Sequence, residues 1–151
     1  LGLIIMLGSM VACRSSSPDA GIGPQLEIIY EAGTMPDQSW NYLPYPAHYG
    51  KMNNNHIFLL SKAPSIGSTR SIVPIGTLTT IEDGKDENWI IANDAHEDYK
   101  IKGLDNVNDL MTNHNGIKST LERWILNRKE VGQIQLKGWK ETPSIDESNN
   151  Q

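Results

Sequence analysis

RSIVPIGTLTTIEDGKDENWIIAN, residues 70–93, decides how this chain folds. Its first half is dense in β-branched residues, its last part is an apolar run, and Asp83-Gly84 stands between them. Asp-Gly between β formers is a strong short-range signal for a tight hairpin. The stretch therefore reads as one or two strands, a turn, and a returning strand at WIIAN. Pro74 has no N–H to give a ladder and is placed at an edge or a bulge. Outward from this hairpin, QLEIIY (25–30) and HIFLL (56–60) read as further strands, and GQIQLKGW (132–139) alternates as a last one. NYLPYPAHYG (41–50) reads as a rigid, tyrosine-bearing turn before the run Asn53-Asn54-Asn55. Residues 96–116 read as mostly loop, with one short helical turn after a capping Asn106. The convincing helix is Ile117 to Lys129, where Ile117, Leu121, Trp124, Ile125 and Arg128 fall on one face of a 3.6-residue period. Five short strands and a late helix predict a small closed barrel with the helix packed on it.

Composition bounds the function. The chain has 151 residues, enough for one domain with a core, and a net charge of −5. That charge argues against nucleic-acid binding, which needs a basic face, and against an electrostatic membrane-surface binder. LGLIIMLGSMVAC, residues 1–13, is apolar and uncharged and precedes a Ser/Pro/Gly stretch. Residues 1–12 read as a truncated lipoprotein signal peptide, because Met10-Val11-Ala12-Cys13 resembles a bacterial lipobox. On that reading Cys13 carries lipid, residues 13–24 are a flexible tether, and the protein sits at the cell envelope with membrane contact only through its anchor. The alternative is a buried N-terminal helix with a structural thiol. Residues 143–151 read as a polar tail.

YLPYPAHYG (42–50), IVPIGTLTTIEDGKDENWIIA (72–92) and WILNRKEVGQIQLKGWK (124–140) occur in an order and spacing that resemble the first family of soluble inorganic pyrophosphatases. The secreted lipoprotein branch of Bacteroidetes-type bacteria is the nearest look-alike. The resemblance covers residues 25–142. It implies a mainly β fold with flanking helices (α+β), built on a small OB-like five-stranded barrel. It also implies Mg-dependent hydrolysis of diphosphate, with diphosphate or phosphate as partner and oligomeric state open, homo-oligomers included. In that chemistry carboxylates hold Mg²⁺ ions that activate a water, while Lys, Arg and Tyr grip the phosphates.

Carried over residue by residue, the resemblance makes Tyr45, Tyr49, Arg128 and Lys129 phosphate-binding candidates. It makes Glu82, Glu87, Glu27 and Asn55 metal candidates. Each has a plainer alternative: packed rings in a turn, a solvated acidic hairpin, a polar turn at the asparagines, basic residues at a helix C-terminus. The departures are large. The loop that should end in D-G-D-P-x-D is reduced to KMNNN, so the three central aspartates are missing. Trp89 stands where the pattern has a phosphate-facing lysine, and Arg128 where it has a tyrosine. Asp37-Gln38 lies near the usual D-R. Each absent charged group that touches the reacting centre typically costs about 2.7–4 kcal/mol of transition-state stabilisation. The sequence thus leaves open a weak or inactive diphosphatase, a lipoprotein that binds phosphate, another small anion or a partner protein, and a structural protein without ligand.

Overall fold

The computed structural model describes residues 24–33, 43–62, 65–130 and 132–142. Cys13, the tether up to residue 23, Asp37-Gln38 and the polar tail lie outside the described residues. Six strands, β1 (Gln25–Tyr30), β2 (Ala47–Met52), β3 (Asn55–Leu60), β4 (Thr69–Glu82), β5 (Lys85–Asp94) and β6 (Ile134–Glu141), are joined by two helices, α1 (Val107–Asn113) and α2 (Asn115–Leu126). The sheet runs β1-β2-β3-β5-β4-β6, and a further β1–β4 pairing closes the first five into a ring. All pairings are antiparallel except β3–β5, which is parallel. This is the small OB-like barrel with flanking helices.

Three expectations are corrected. AHYGKM is a strand of the ring, not the end of a turn: its residues pair in register with β3 from Ala47–Leu60 to Met52–Asn55. GQIQLKGW is not one of the ring strands. It forms β6, a sixth strand paired to β4 outside the ring. The late helix ends at Leu126, two residues before Arg128. The short helix after Asn106 is present, with the Asn106 side chain accepting from the Asp109 N–H.

β4 explains how both a ring and an outer strand fit. One edge pairs β5, while the other pairs β1 at Thr69–Ser71 and β6 at Gly76–Glu82. A register shift at Pro74–Gly76 falls where that edge changes partner, which is where a residue without an N–H is tolerated. The hairpin turns are both two-residue loops with positive φ at each central residue: Asn53 52° and Asn54 71°, Asp83 54° and Gly84 78°. That is the primed turn matched to strand twist, and Asn, Asp and Gly reach it most easily.

The core has two compartments. Inside the ring lie Leu26, Ile28, Met52, Ile57, Leu59, Ile72, Ile90 and Ala92, with every ring strand contributing. Between the outer face of the sheet and the helices lie Ala47, Phe58, Leu60, Leu78, Trp89 and Ile91, packed by Leu110, Leu121, Trp124 and Ile125. Neighbours along β3 and β5 thus enter different compartments, because strand side chains alternate. The ring end away from the two hairpin turns is closed by buried polar groups. Asp94 accepts from Ser61 Oγ at 2.6 Å and from Arg70 Nε and Nη2 at 3.1 and 2.8 Å. His48 Nδ1 accepts from the Ala32 N–H at 3.2 Å, which leaves Nε2 to donate to the Ser61 carbonyl at 3.0 Å.

Three outcomes follow for stability. Phe58 is fully buried and meets Trp89 and Trp124 at ring separations of 5.4 Å, so Phe58→Ala lowers unfolding free energy by about 3–5 kcal/mol in urea titrations. Ile66→Ala, on the surface, changes it by less than about 0.5 kcal/mol. Burial holds the His48 imidazole below its ordinary value of 6.5, outweighing the pull of the Ser61 carbonyl. Above that value both folded and unfolded chains keep His48 neutral. Below it the unfolded chain takes up a proton that the folded chain resists, so stability falls as pH drops from 6.5. His48→Gln flattens this slope in denaturation series run across that range.

Candidate functional site

At the end of the sheet that carries the two hairpin turns, side chains from β2, β3, β4, β5 and the segment after α2 meet on the outer face. Trp89 is the platform. It is buried, its Nε1–H donates to Thr80 Oγ1 at 3.2 Å, and His56 stacks on it at 4.1 Å between ring centres. The Arg128 guanidinium lies over the same ring at 4.7 Å. The segment beyond α2 thus supplies a cation to the face of the β5 indole.

Arg128 reaches this point because α2 buries Leu121, Trp124 and Ile125 against the sheet, and the chain then turns through an Arg128 N–H bond to the Ile125 carbonyl at 3.2 Å. Its Nη2 donates to Glu82 Oε2. Lys129 Nζ lies 3.5 Å from Glu82 Oε1 and 3.4 Å from Asp83 Oδ2. Arg128 Nε is buried and has no hydrogen-bond partner.

On the β2–β3 side Tyr49 and His56 are in contact, the Tyr49 hydroxyl lying 2.7 Å from His56 Nδ1. His56 Nε2 faces Glu87 Oε1 at 3.4 Å. A nitrogen facing a carboxylate carries its proton, so Nδ1 is the acceptor and Tyr49 donates to it. Burial, with the Lys51 and Arg128 charges, outweighs Glu87 and holds the imidazole below 6.5. Burial likewise pushes the Tyr49 phenol up from its ordinary value, against the opposing charge of Arg128. A chain runs from the Glu87 carboxylate through a neutral imidazole to a neutral phenol, whose proton is committed to histidine.

Of the residues singled out from sequence, Tyr49, Arg128, Lys129, Glu82 and Glu87 are brought to this end of the face. Tyr45 is not. It is 68% exposed and lines a cleft of about 370 Å³ with Pro44, Pro46, Ile117 and Leu121. That cleft is lined by the first half of α2, whereas Arg128 follows its C-terminal end. Glu27 lies exposed on β1 opposite Thr69. Asn55 opens β3 opposite Met52, beside the Asn53-Asn54 turn. His56 escaped the sequence reading, as did the role of Trp89. The available signal was strand alternation, which puts His56 on the face of Phe58.

The donor set does not fit a Mg²⁺ cluster. Glu82 is committed to Arg128 and Lys129, and Glu87 faces His56. Among the described residues no three His, Cys, Asp or Glu side chains converge to hold a metal. The arrangement can offer a phosphate-type anion two cations, Arg128 on a rigid aromatic base and Lys129 held by Glu82 and Asp83. Among the described residues it offers no group of carboxylates placed to hold a metal that would activate a water.

No family model matches the sequence, and no curated protein matches it. Solved structures do resemble the fold. An inorganic pyrophosphatase from Neisseria gonorrhoeae superposes with a TM-score of 0.58 at 14% identity, covering 78% of this chain and 81% of that one. One from Coxiella burnetii gives 0.54 at 15%, covering 81% and 89%. One from Helicobacter pylori gives 0.52 at 16%, covering 78% and 83%. At these identities the likeness is one of architecture, and this chain has the fold of the solved inorganic pyrophosphatases.

Proposed function

We propose that this protein is a pyrophosphatase-fold anion binder in which Mg-assisted hydrolysis of diphosphate is weak or lost, and that phosphate or diphosphate binds at Arg128 and Lys129. The observation that carries this reading is the pairing of Glu82 with both cations. A carboxylate that metal chemistry would need is spent holding the groups that grip phosphate. Mg²⁺ keeps its water shell unless carboxylates and phosphates draw it in, and Glu87 alone is a poor anchor. The cations, by contrast, are held in place: Arg128 by Trp89 and Glu82, Lys129 by Glu82 and Asp83. Charge-assisted contacts to phosphate need this kind of positioning more than they need a tight pocket.

The test is phosphate release from diphosphate with Mg²⁺ and then Mn²⁺, beside calorimetric titration of the wild type and Lys129→Ala. We expect release far below that of an enzyme with the full aspartate set. Binding is expected to be weak and salt-sensitive, and about tenfold weaker or more in Lys129→Ala, the worth of one charge-assisted hydrogen bond. Turnover at ordinary enzyme rates of about 1–10³ s⁻¹ would restore the diphosphatase reading. Binding that ignores Lys129 would leave a structural protein.

We also propose the lipid-anchored location at the cell envelope, on the strength of residues 1–13 and the polar stretch that follows. Cys13→Ala is expected to move the protein out of the membrane fraction or leave it unprocessed. Unchanged fractionation overturns the anchor.

A further inference from the structure

Glu82 is the last residue of β4, and its side chain is only 11% exposed. It points along the outer face to the place where Arg128 and Lys129 converge, and it touches both through its two carboxylate oxygens. We infer that Glu82 is a built-in occupant of the anion site, an internal carboxylate that a ligand must displace. This rests on the reading of Arg128 and Lys129 as an anion site and adds what governs entry to it.

Two observations point the same way. The first is charge. Arg128 and Lys129 are balanced by Glu82 and Asp83, so these four groups carry no net charge and exert little pull on a passing monoanion. The second is an incomplete fit. Glu82 meets the guanidinium through Nη2, and Nε is left buried without a partner. A carboxylate placed to satisfy Arg128 fully would take Nε and an Nη together, in the side-on fork that guanidinium offers. Glu82, fixed to the end of a strand, leaves that fork half used. A tetrahedral oxyanion has oxygens enough to take the fork and Lys129 at once.

The class of ligand follows. Displacing a carboxylate that holds two cations requires an anion with more charge and more acceptor oxygens than the carboxylate itself. Diphosphate and similar multiply charged phosphates meet this, and orthophosphate meets it less well. Halides, acetate and other single charges do not. Glu82 thus acts as a selectivity threshold: it suppresses weak anions more than strong ones. Removing it raises affinity for every phosphate and narrows the gap between diphosphate and orthophosphate.

The experiment is calorimetric titration of the full chain with orthophosphate and with diphosphate, without divalent metal, for the wild type, Glu82→Gln and Asp83→Asn. Thermal melts accompany each variant. Glu82→Gln keeps a hydrogen-bonding group beside Arg128 and removes the charge. It is expected to bind orthophosphate roughly tenfold tighter or more, with a smaller gain for diphosphate, in line with an unscreened unit charge at close range. Asp83 is exposed and touches only Lys129 among these groups. Asp83→Asn is therefore expected to shift affinity in the same direction by less, and it tests the charge argument should Glu82→Gln fail to fold. Wild-type binding that is unchanged or weakened in both variants overturns the occupant role and leaves the anion site standing. If neither the wild type nor the variants bind either phosphate, the anion site itself is wrong and the inference falls with it.

Discussion

The parallel contact between β3 and β5 is the constraint from which the rest of the structure follows. Both strands are covered on both faces, so His56, Phe58 and Leu60 go one way while Ile57 and Leu59 go the other. A slip of one residue would send Phe58 into the ring and Ile57 to the helices, exchanging large rings for smaller aliphatic groups in two well-filled spaces. The register is therefore fixed on two sides at once. Because Trp89 lies opposite His56 in that register, the same constraint builds the stacked pair at the rim. Because Phe58 and Trp89 both meet Trp124, it also sets where α2 lies and where its last turn delivers Arg128.

The rim is then a problem in electrostatics solved locally. Three acidic groups, Glu82, Asp83 and Glu87, stand near Arg128, Lys129 and a histidine. Each acid has a partner, and the partly buried ones are the best paired, as desolvation demands. What sets this end apart from an ordinary surface network is the aromatic base under Arg128. A guanidinium on an indole face keeps its charge while losing little freedom.

How much of this was legible depends on the range of the interactions involved. The Asp83-Gly84 hairpin, the displaced edge at Pro74 and the cap at Asn106 were readable because each is decided within a few residues. β2 was not, since two prolines and a tyrosine upstream of it look like a turn. Only pairing with β3 makes Ala47–Met52 extended. The position of β6 outside the ring was hidden for a similar reason: nothing in Ile134–Glu141 itself says that β4 is long enough to serve two partners on one edge. At the site, Arg128 and Lys129 came forward through resemblance. His56 did not, because its contacts with Tyr49 and Trp89 exist only across a hairpin and across the parallel pair.

The Asn53-Asn54 turn has a consequence for how such a rim changes over time. The β2–β3 ladder runs without interruption from Ala47–Leu60 up to Met52–Asn55, so the register is set below the turn. Loop-closure entropy grows slowly, at about 0.6 kcal/mol for each doubling of length. A longer segment spliced between Met52 and Asn55 would therefore disturb neither core compartment and would lower stability only slightly. Carboxylates could be gained or lost at this corner in a single insertion or deletion, while the barrel beneath stays the same. The chemistry of the rim and the persistence of the fold are in this sense separately heritable.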